Sequence, residues 1–122
     1  MKKKTIASVV VILLVIIGGA FYFTNSQKTL NGYIIDKHCS EMDSDPSEET
    51  KMCLTMESCA ASGYGVSVKQ NDDKYKFYLF DDKGQDLVKD IISKTKKEKG
   101  ISIEVKGKIK GDSIQVAQVT EK

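Results

Sequence analysis

The chain contains no arginine, so it lacks the guanidinium forks that commonly recognise phosphate and guanine. Three of its 19 lysines, Lys2 to Lys4, stand at the N-terminus, which leaves 16 lysines against 17 acidic residues in the rest of the chain. Binding to a phosphate backbone needs a concentrated basic surface, and the sequence after Lys4 indicates none. We therefore expect no nucleic-acid partner.

Catalytic motifs are missing as well. The sequence has no glycine-rich phosphate loop, no nucleophile elbow and no HExxH pattern. The only histidine, His38, stands next to a cysteine, so no serine lies in a plausible catalytic triad. We therefore expect a binding protein rather than an enzyme.

The N-terminus carries the one long apolar run, from Ile6 to Phe23, directly after the lysine cluster. A helix of this length reaches about 27 Å, close to the hydrocarbon thickness of a bilayer. The lysines favour a cytoplasmic N-terminus. We predict that residues 1–24 are a single-pass membrane anchor, which crosses the membrane through residues 5–23. The alternative is a signal peptide cleaved near Ala20, which would release a secreted domain. Both predictions place the rest of the chain outside the cytoplasm.

The remainder is predicted to be a short linker, 25–29, followed by one domain, 30–122. Apolar alternation predicts five strands and helical spacing predicts two helices, so the fold class is mainly β with two helices (β+α). A helix between the third and fourth strands is typical of a five-stranded OB-like barrel. The alternative is an open antiparallel sheet with one helix packed on it. The predicted strands are 30–36, 64–70, 75–80, 101–109 and 114–119, and the predicted helices are 50–61 and 85–97.

Sulfur and imidazole side chains are concentrated between residues 38 and 59. Thiolate, thioether and imidazole groups are ligands for soft or borderline metals, such as Cu(I) and Zn. We predict a metal site within this segment, and apart from the initiator methionine the chain has no other such side chains. The predicted ligands are His38, Cys39, Cys53, Met56 and Cys59.

A disulfide is the main alternative to a metal. The spacing lacks the Cys-x2-Cys pair of standard zinc knuckles and of thioredoxin-like proteins. Cys39 would pair with Cys53 or Cys59, whereas a bond between Cys53 and Cys59 requires the helix 50–61 to end or bend between them. Three cysteines always leave one thiol over. The alternative functions are therefore a thiol-based redox protein of the cell envelope and a structural interaction domain that binds an envelope protein or a small ligand.

An acidic run lies in the same segment. It lacks the glycine and the terminal glutamate spacing of a calcium-binding EF-hand loop, so we expect a solvated loop. The run consists of Glu41, Asp43, Asp45, Glu48 and Glu49.

The string Gly32-Tyr33-Ile34-Ile35-Asp36 with Cys39, followed by Cys53-x5-Cys59-Ala60 and Gly63-Tyr64-Gly65, resembles a group of small exported OB-like domains from Gram-positive anaerobes. A broader set of bacterial OB-like domains shares the pattern G-x-V-x-D-x-x-C … H-x-x-C-x-x-x-C. This chain departs from that broader pattern, because it has Lys51 and no histidine shortly before the second cysteine, and because five residues separate its later cysteines where the pattern has three. The resemblance implies an OB-like fold and an exported setting, without a particular activity.

Overall fold

A computed structural model describes residues 27–42 and 44–122 of the chain. The predicted membrane segment, 5–23, lies outside the described residues, as do residues 25 and 26 of the predicted 25–29 linker. No helix in the described part of the chain is both long enough and apolar enough to cross a bilayer.

The described residues form a mixed β+α fold with five strands and four α-helices. Three of the helices are short and follow the first strand, and the fourth separates the third and fourth strands. The elements are β1 Lys28–Asp36, α1 Lys37–Glu41, a 3-10 turn Pro46–Glu48, α2 Lys51–Thr55, α3 Glu57–Ser62, β2 Tyr64–Lys69, β3 Tyr75–Phe80, α4 Asp82–Lys94, β4 Ser102–Lys110 and β5 Ser113–Glu121.

The strands are hydrogen bonded in the order β1-β2-β3-β5-β4, and β4 also pairs with β1, so the sheet closes on itself. Four of the pairings are antiparallel, and the short pairing of β3 with β5 is parallel. β1 begins at Lys28, earlier than predicted, because Lys28 and Thr29 pair with Gly107 and Lys106 of β4. Closure leaves few free strand edges.

The apolar core fills the space inside the sheet. Ile103 and Val105 are fully buried, as the alternation in β4 predicted, and they belong to one cluster with residues of every strand. α4 covers this core with Val88 and Ile92. Gly84 lets α4 approach closely, since a Cβ atom there would lie 2.5 Å from a methyl carbon of Val116.

The segment between β1 and β2 differs from the prediction of one loop and one helix. Its residues form α1, the 3-10 turn, α2 and α3. Glu49 and Thr50 lie between the 3-10 turn and α2, and distant residues bind the backbone at this point: Gly100 donates to the Glu49 carbonyl, and Lys51, the first residue of α2, donates to the Glu98 carbonyl. These contacts are not local, so sequence periodicity could not reveal them. We call residues 37–62 the helical segment.

Candidate metal centre

Each cysteine of the helical segment is the third residue of its own short helix: Cys39 in α1, Cys53 in α2 and Cys59 in α3. In two of these helices, the side chain of the N-cap residue accepts a hydrogen bond from the backbone N–H of the cysteine. The Asp36 carboxylate accepts a hydrogen bond from the Cys39 backbone N–H at 3.0 Å, and the Thr50 hydroxyl accepts one from the Cys53 N–H at 3.0 Å. Such caps stabilise helices too short to persist alone. They also fix the backbone positions from which the Cys39 and Cys53 side chains project.

A break at Met56 separates α2 from α3. Met56 has an extended backbone, with φ −62° and ψ 140°, and it serves as the C-cap of one helix and the N-cap of the next. In an uninterrupted helix, residues six apart point about 120° away from each other. Cys53 and Cys59 can approach each other only if the predicted helix 50–61 ends or bends between them, and the break at Met56 meets this condition.

The three sulfur atoms form a compact triangle, which we call the thiol cluster. Cys53 Sγ lies 4.0 Å from Cys39 Sγ and 3.9 Å from Cys59 Sγ, and all three sulfurs lie within 4.8 Å of one another. Zinc–sulfur bonds of 2.3 Å in a tetrahedral site place sulfurs about 3.8 Å apart. The thiol cluster is therefore close to the spacing that a metal ion with sulfur ligands requires. Its cysteines are all free thiols.

Two buried carboxylates stand beside the thiol cluster. Asp36 is 0% exposed and Glu49 is 7% exposed. Asp36, Cys39 and Glu49 each place one ligand atom within 4.8 Å of the others. Among the described residues, Asp36 Oδ1 and Glu49 Oε1 find no hydrogen-bond partner. A buried polar atom without a partner is costly, so these two oxygens indicate that the site suits a positively charged group.

The surroundings of Cys39 and Cys53 favour the protonated form of these two thiols. Burial raises the pKa of the Cys39 thiol well above its ordinary value, and Asp36 and Glu49 raise it further. Contact with the Glu49 carboxylate, followed by burial, raises the pKa of Cys53 to about 12. A nucleophilic cysteine needs a lowered pKa, so these two thiols have the opposite character.

Apolar side chains cover the rest of the thiol cluster. Ile35, on the face of β1 opposite to the core, packs with Cys39 and Cys59, and Phe77 of β3 borders them. The helical segment is fixed to the sheet by Leu54, which is fully buried in the main core. The cluster therefore lies between the helical segment and the outer face of the sheet, with Cys39 and Cys59 buried and Cys53 half-buried.

The structure brings together three of the five predicted ligands, the three cysteines. His38 has an exposed side chain, and it belongs to neither group of clustered ligand atoms. The Met56 side chain is 53% exposed. Met42 and Met52 are also exposed. The sulfur and imidazole side chains thus divide into the thiol cluster, which is buried except for the half-buried Cys53, and a set of exposed residues.

The sequence analysis missed the two carboxylates, because it treated Glu49 as part of a solvated acidic run and Asp36 only as the end of a strand. A signal was present for Asp36, since Asp36-x-x-Cys39 and Thr50-x-x-Cys53 repeat the spacing of a cap followed by its third residue. Glu49 stands four residues before Cys53. Nothing in its sequence neighbours predicted that Glu49 would be buried or that the distant Gly100 would bind its carbonyl.

No family model, no curated protein and no solved structure matches this chain. The functional argument therefore depends on the geometry of the site alone.

Proposed function

We propose that this chain is an extracytoplasmic, membrane-tethered OB-like domain that binds a soft or borderline metal ion, Zn²⁺ or Cu⁺, through Cys39, Cys53 and Cys59. The observation that carries the proposal is the placement of three free thiols within 4.8 Å of one another, each from a different helix. Thiolates are the preferred ligands of both ions.

The OB-like assignment is supported by the strand order and by the position of α4. The closed order β1-β2-β3-β5-β4 and a helix between β3 and β4 are the expected features of this five-stranded barrel. The extracytoplasmic assignment is supported by the lysines and the apolar run of residues 2–23. The mass of the intact chain recovered from a membrane fraction tests the tether, because cleavage near Ala20 would remove the N-terminal residues.

Metal binding accounts for the geometry better than a disulfide does. A disulfide joins two sulfurs at about 2.05 Å and would leave the third thiol of the cluster unpaired. Cys53 is nearly equidistant from its two neighbours, at 4.0 and 3.9 Å, so the geometry favours neither pair. A metal ion would bind all three thiols. The raised pKa values of Cys39 and Cys53 also give little support to a redox enzyme that needs a reactive thiolate.

The test is the metal content of the full-length chain, purified in detergent under reducing conditions and equilibrated with Zn²⁺ or with Cu⁺. We expect one tightly bound ion per chain. Replacing any one of the cysteines with serine should reduce the bound metal to below about 0.1 equivalent, since a structural site of this kind depends on its complete ligand set.

The matched control is Ser58→Ala, which changes an exposed residue directly before Cys59 and should leave the metal content unchanged. Metal content below about 0.1 equivalent for both ions in the unmodified chain would contradict the proposal. If the mass of the chain purified without reductant then showed two fewer hydrogens, two of the three thiols would form a disulfide instead.

A further inference from the structure

The two carboxylates beside the thiol cluster, Asp36 and Glu49, bear on which of the two ions, Zn²⁺ or Cu⁺, the site prefers. Their side chains are more than nine-tenths buried, and each has one oxygen without a partner among the described residues. One of these oxygens together with the thiols would make a set of four protein ligands. Carboxylate oxygen is an ordinary ligand of Zn²⁺, whereas Cu⁺ is selected by soft sulfur ligands.

The two carboxylates have different roles available to them. Asp36 Oδ2 already accepts the backbone N–H of Cys39, and it also lies 3.4 Å from the Ser62 hydroxyl. Asp36 is therefore held by the start of α1. Glu49 is not committed to a cap. One of its carboxylate oxygens lies within 4.8 Å of Cys39 Sγ, the sulfur that the thiol cluster shares with the group formed by Asp36, Cys39 and Glu49, and the Glu49 carboxylate also acts on the Cys53 thiol. Glu49 is the better placed of the two to reach a metal ion held between the sulfurs.

The negative charge of the site also favours a divalent ion over Cu⁺. When ionised, the thiol cluster and the two carboxylates together carry five negative charges, and all of these groups except the half-buried Cys53 are buried. Uncompensated buried charge is strongly unfavourable. A divalent ion offsets one more of these charges than Cu⁺ does, and it uses an oxygen that Cu⁺ would leave without a partner.

We infer that Glu49 supplies the fourth ligand of a Cys39, Cys53, Cys59 and Glu49 site for Zn²⁺, with Asp36 as the residue that positions Cys39. This inference rests on the proposed metal-binding function and adds the class of metal and the ligand set. The carboxylate takes the place that the sequence analysis had assigned to His38, whose side chain is exposed.

The direct test is X-ray absorption at the zinc edge of the full-length, zinc-loaded chain. We expect three sulfur atoms at about 2.3 Å and one oxygen at about 2.0–2.2 Å, without the outer-shell scattering of an imidazole ring. Imidazole scattering would assign the fourth position to His38 and overturn the inference. A shell of sulfur alone would overturn it as well. This measurement needs no variant and does not depend on whether a variant folds.

Affinity measurements on Glu49→Gln provide the second test. The substitution keeps the size of the side chain and removes its charge, and we expect it to weaken Zn²⁺ binding at least about tenfold, as loss of supporting groups at metal sites does. Cu⁺ affinity should change less than about threefold, because Cu⁺ would use sulfur ligands alone. Glu41→Gln is the matched control, since Glu41 is exposed and belongs to the same acidic run.

The outcomes separate the inference from the function on which it rests. If Glu49→Gln binds Zn²⁺ as tightly as the unmodified chain, the inference fails while metal binding by the cysteines stands. If the unmodified chain binds neither Zn²⁺ nor Cu⁺, the proposed function fails and the inference fails with it. Equal losses of both affinities would show that Glu49 supports the fold of the site rather than the ion.

Discussion

The five-stranded sheet and the helical segment are stabilised in different ways. The sheet closes on itself around one large apolar cluster and is covered by a helix of 13 residues. The helical segment consists of helices of five, five and six residues, too short to persist alone, and its own apolar cluster has only Ile35, Cys39 and Cys59 as buried members. Hydrophobic burial holds the first region together, whereas the second depends on caps, a few long-range hydrogen bonds and its cysteines. A metal ion would therefore matter to one region and not to the other.

The largest effect is expected inside the sheet. Ile103→Ala removes most of a side chain that is 0% exposed, and such truncations cost about 2–5 kcal/mol of unfolding free energy. Urea unfolding should give the same loss with and without zinc, because the residue lies away from the thiol cluster. Ile103→Val, which removes one methyl group, should cost about 0.5–1.5 kcal/mol. A loss that depended on zinc would show that the stability of the sheet is coupled to metal binding in the helical segment.

The contact between α4 and the sheet comes next. Gly84→Ala would place a Cβ atom 2.5 Å from Val116 Cγ2 and 2.8 Å from Phe80 Cβ. We expect a loss of about 1–3 kcal/mol, the usual cost of overpacking a filled core. Lys83→Ala, at an exposed position of the same helix, should change stability by less than about 0.5 kcal/mol. Equal stability of the two variants would mean that α4 has room to move.

A smaller effect is expected where the two regions meet. The buried Tyr64 hydroxyl donates to the Leu54 carbonyl of α2, so Tyr64→Phe leaves that carbonyl without its donor. We expect a loss of about 1 kcal/mol, as for a typical hydrogen bond, together with weaker Zn²⁺ binding because α2 carries Cys53. Tyr75→Phe, on the neighbouring strand and half-exposed, is the control for both readouts. Unchanged zinc affinity would show that α2 holds its position without this bond.

The smallest effect concerns Met56. Met56→Leu removes the thioether at a side chain that is 53% exposed, and Zn²⁺ affinity should stay within about twofold, far from the 10–100-fold losses seen when groups that support a metal site are removed. The same competition titration against a chromophoric chelator, with Cys59→Ser beside it, measures the contrast. A loss as large as that of Cys59→Ser would restore Met56 to the ligand set.

The sheet could be predicted from the sequence because its pattern is local. Alternation in residues 101–109 placed Ile103 and Val105 inward, and both are buried. The predicted helix 85–97 exists as α4 but starts three residues earlier, at Asp82, because Asp81 caps it by accepting a hydrogen bond from the Gly84 N–H. Predictions that depend on side-chain period and turn residues therefore hold, with shifts at the ends of elements.

The candidate site could be predicted only in part. The clustering of cysteines in the sequence indicated that they would meet, and they do. The backbone of the buried Glu49 is held by a residue about 50 positions away, because Gly100 donates a hydrogen bond to its carbonyl. The break at Met56 likewise could not be predicted, because no proline or glycine stands near it in the sequence. Features that arise from long-range contacts are those that the sequence pattern did not reveal.

The most direct test of the central claim is hydrogen exchange of the full-length chain with and without Zn²⁺. A metal ion bound by the thiol cluster joins three helices, so amide exchange in residues 37–62 should slow markedly, while exchange in β4 and α4 should change little. Protection spread evenly over the chain, or no protection of the helical segment at saturating Zn²⁺, would contradict the account.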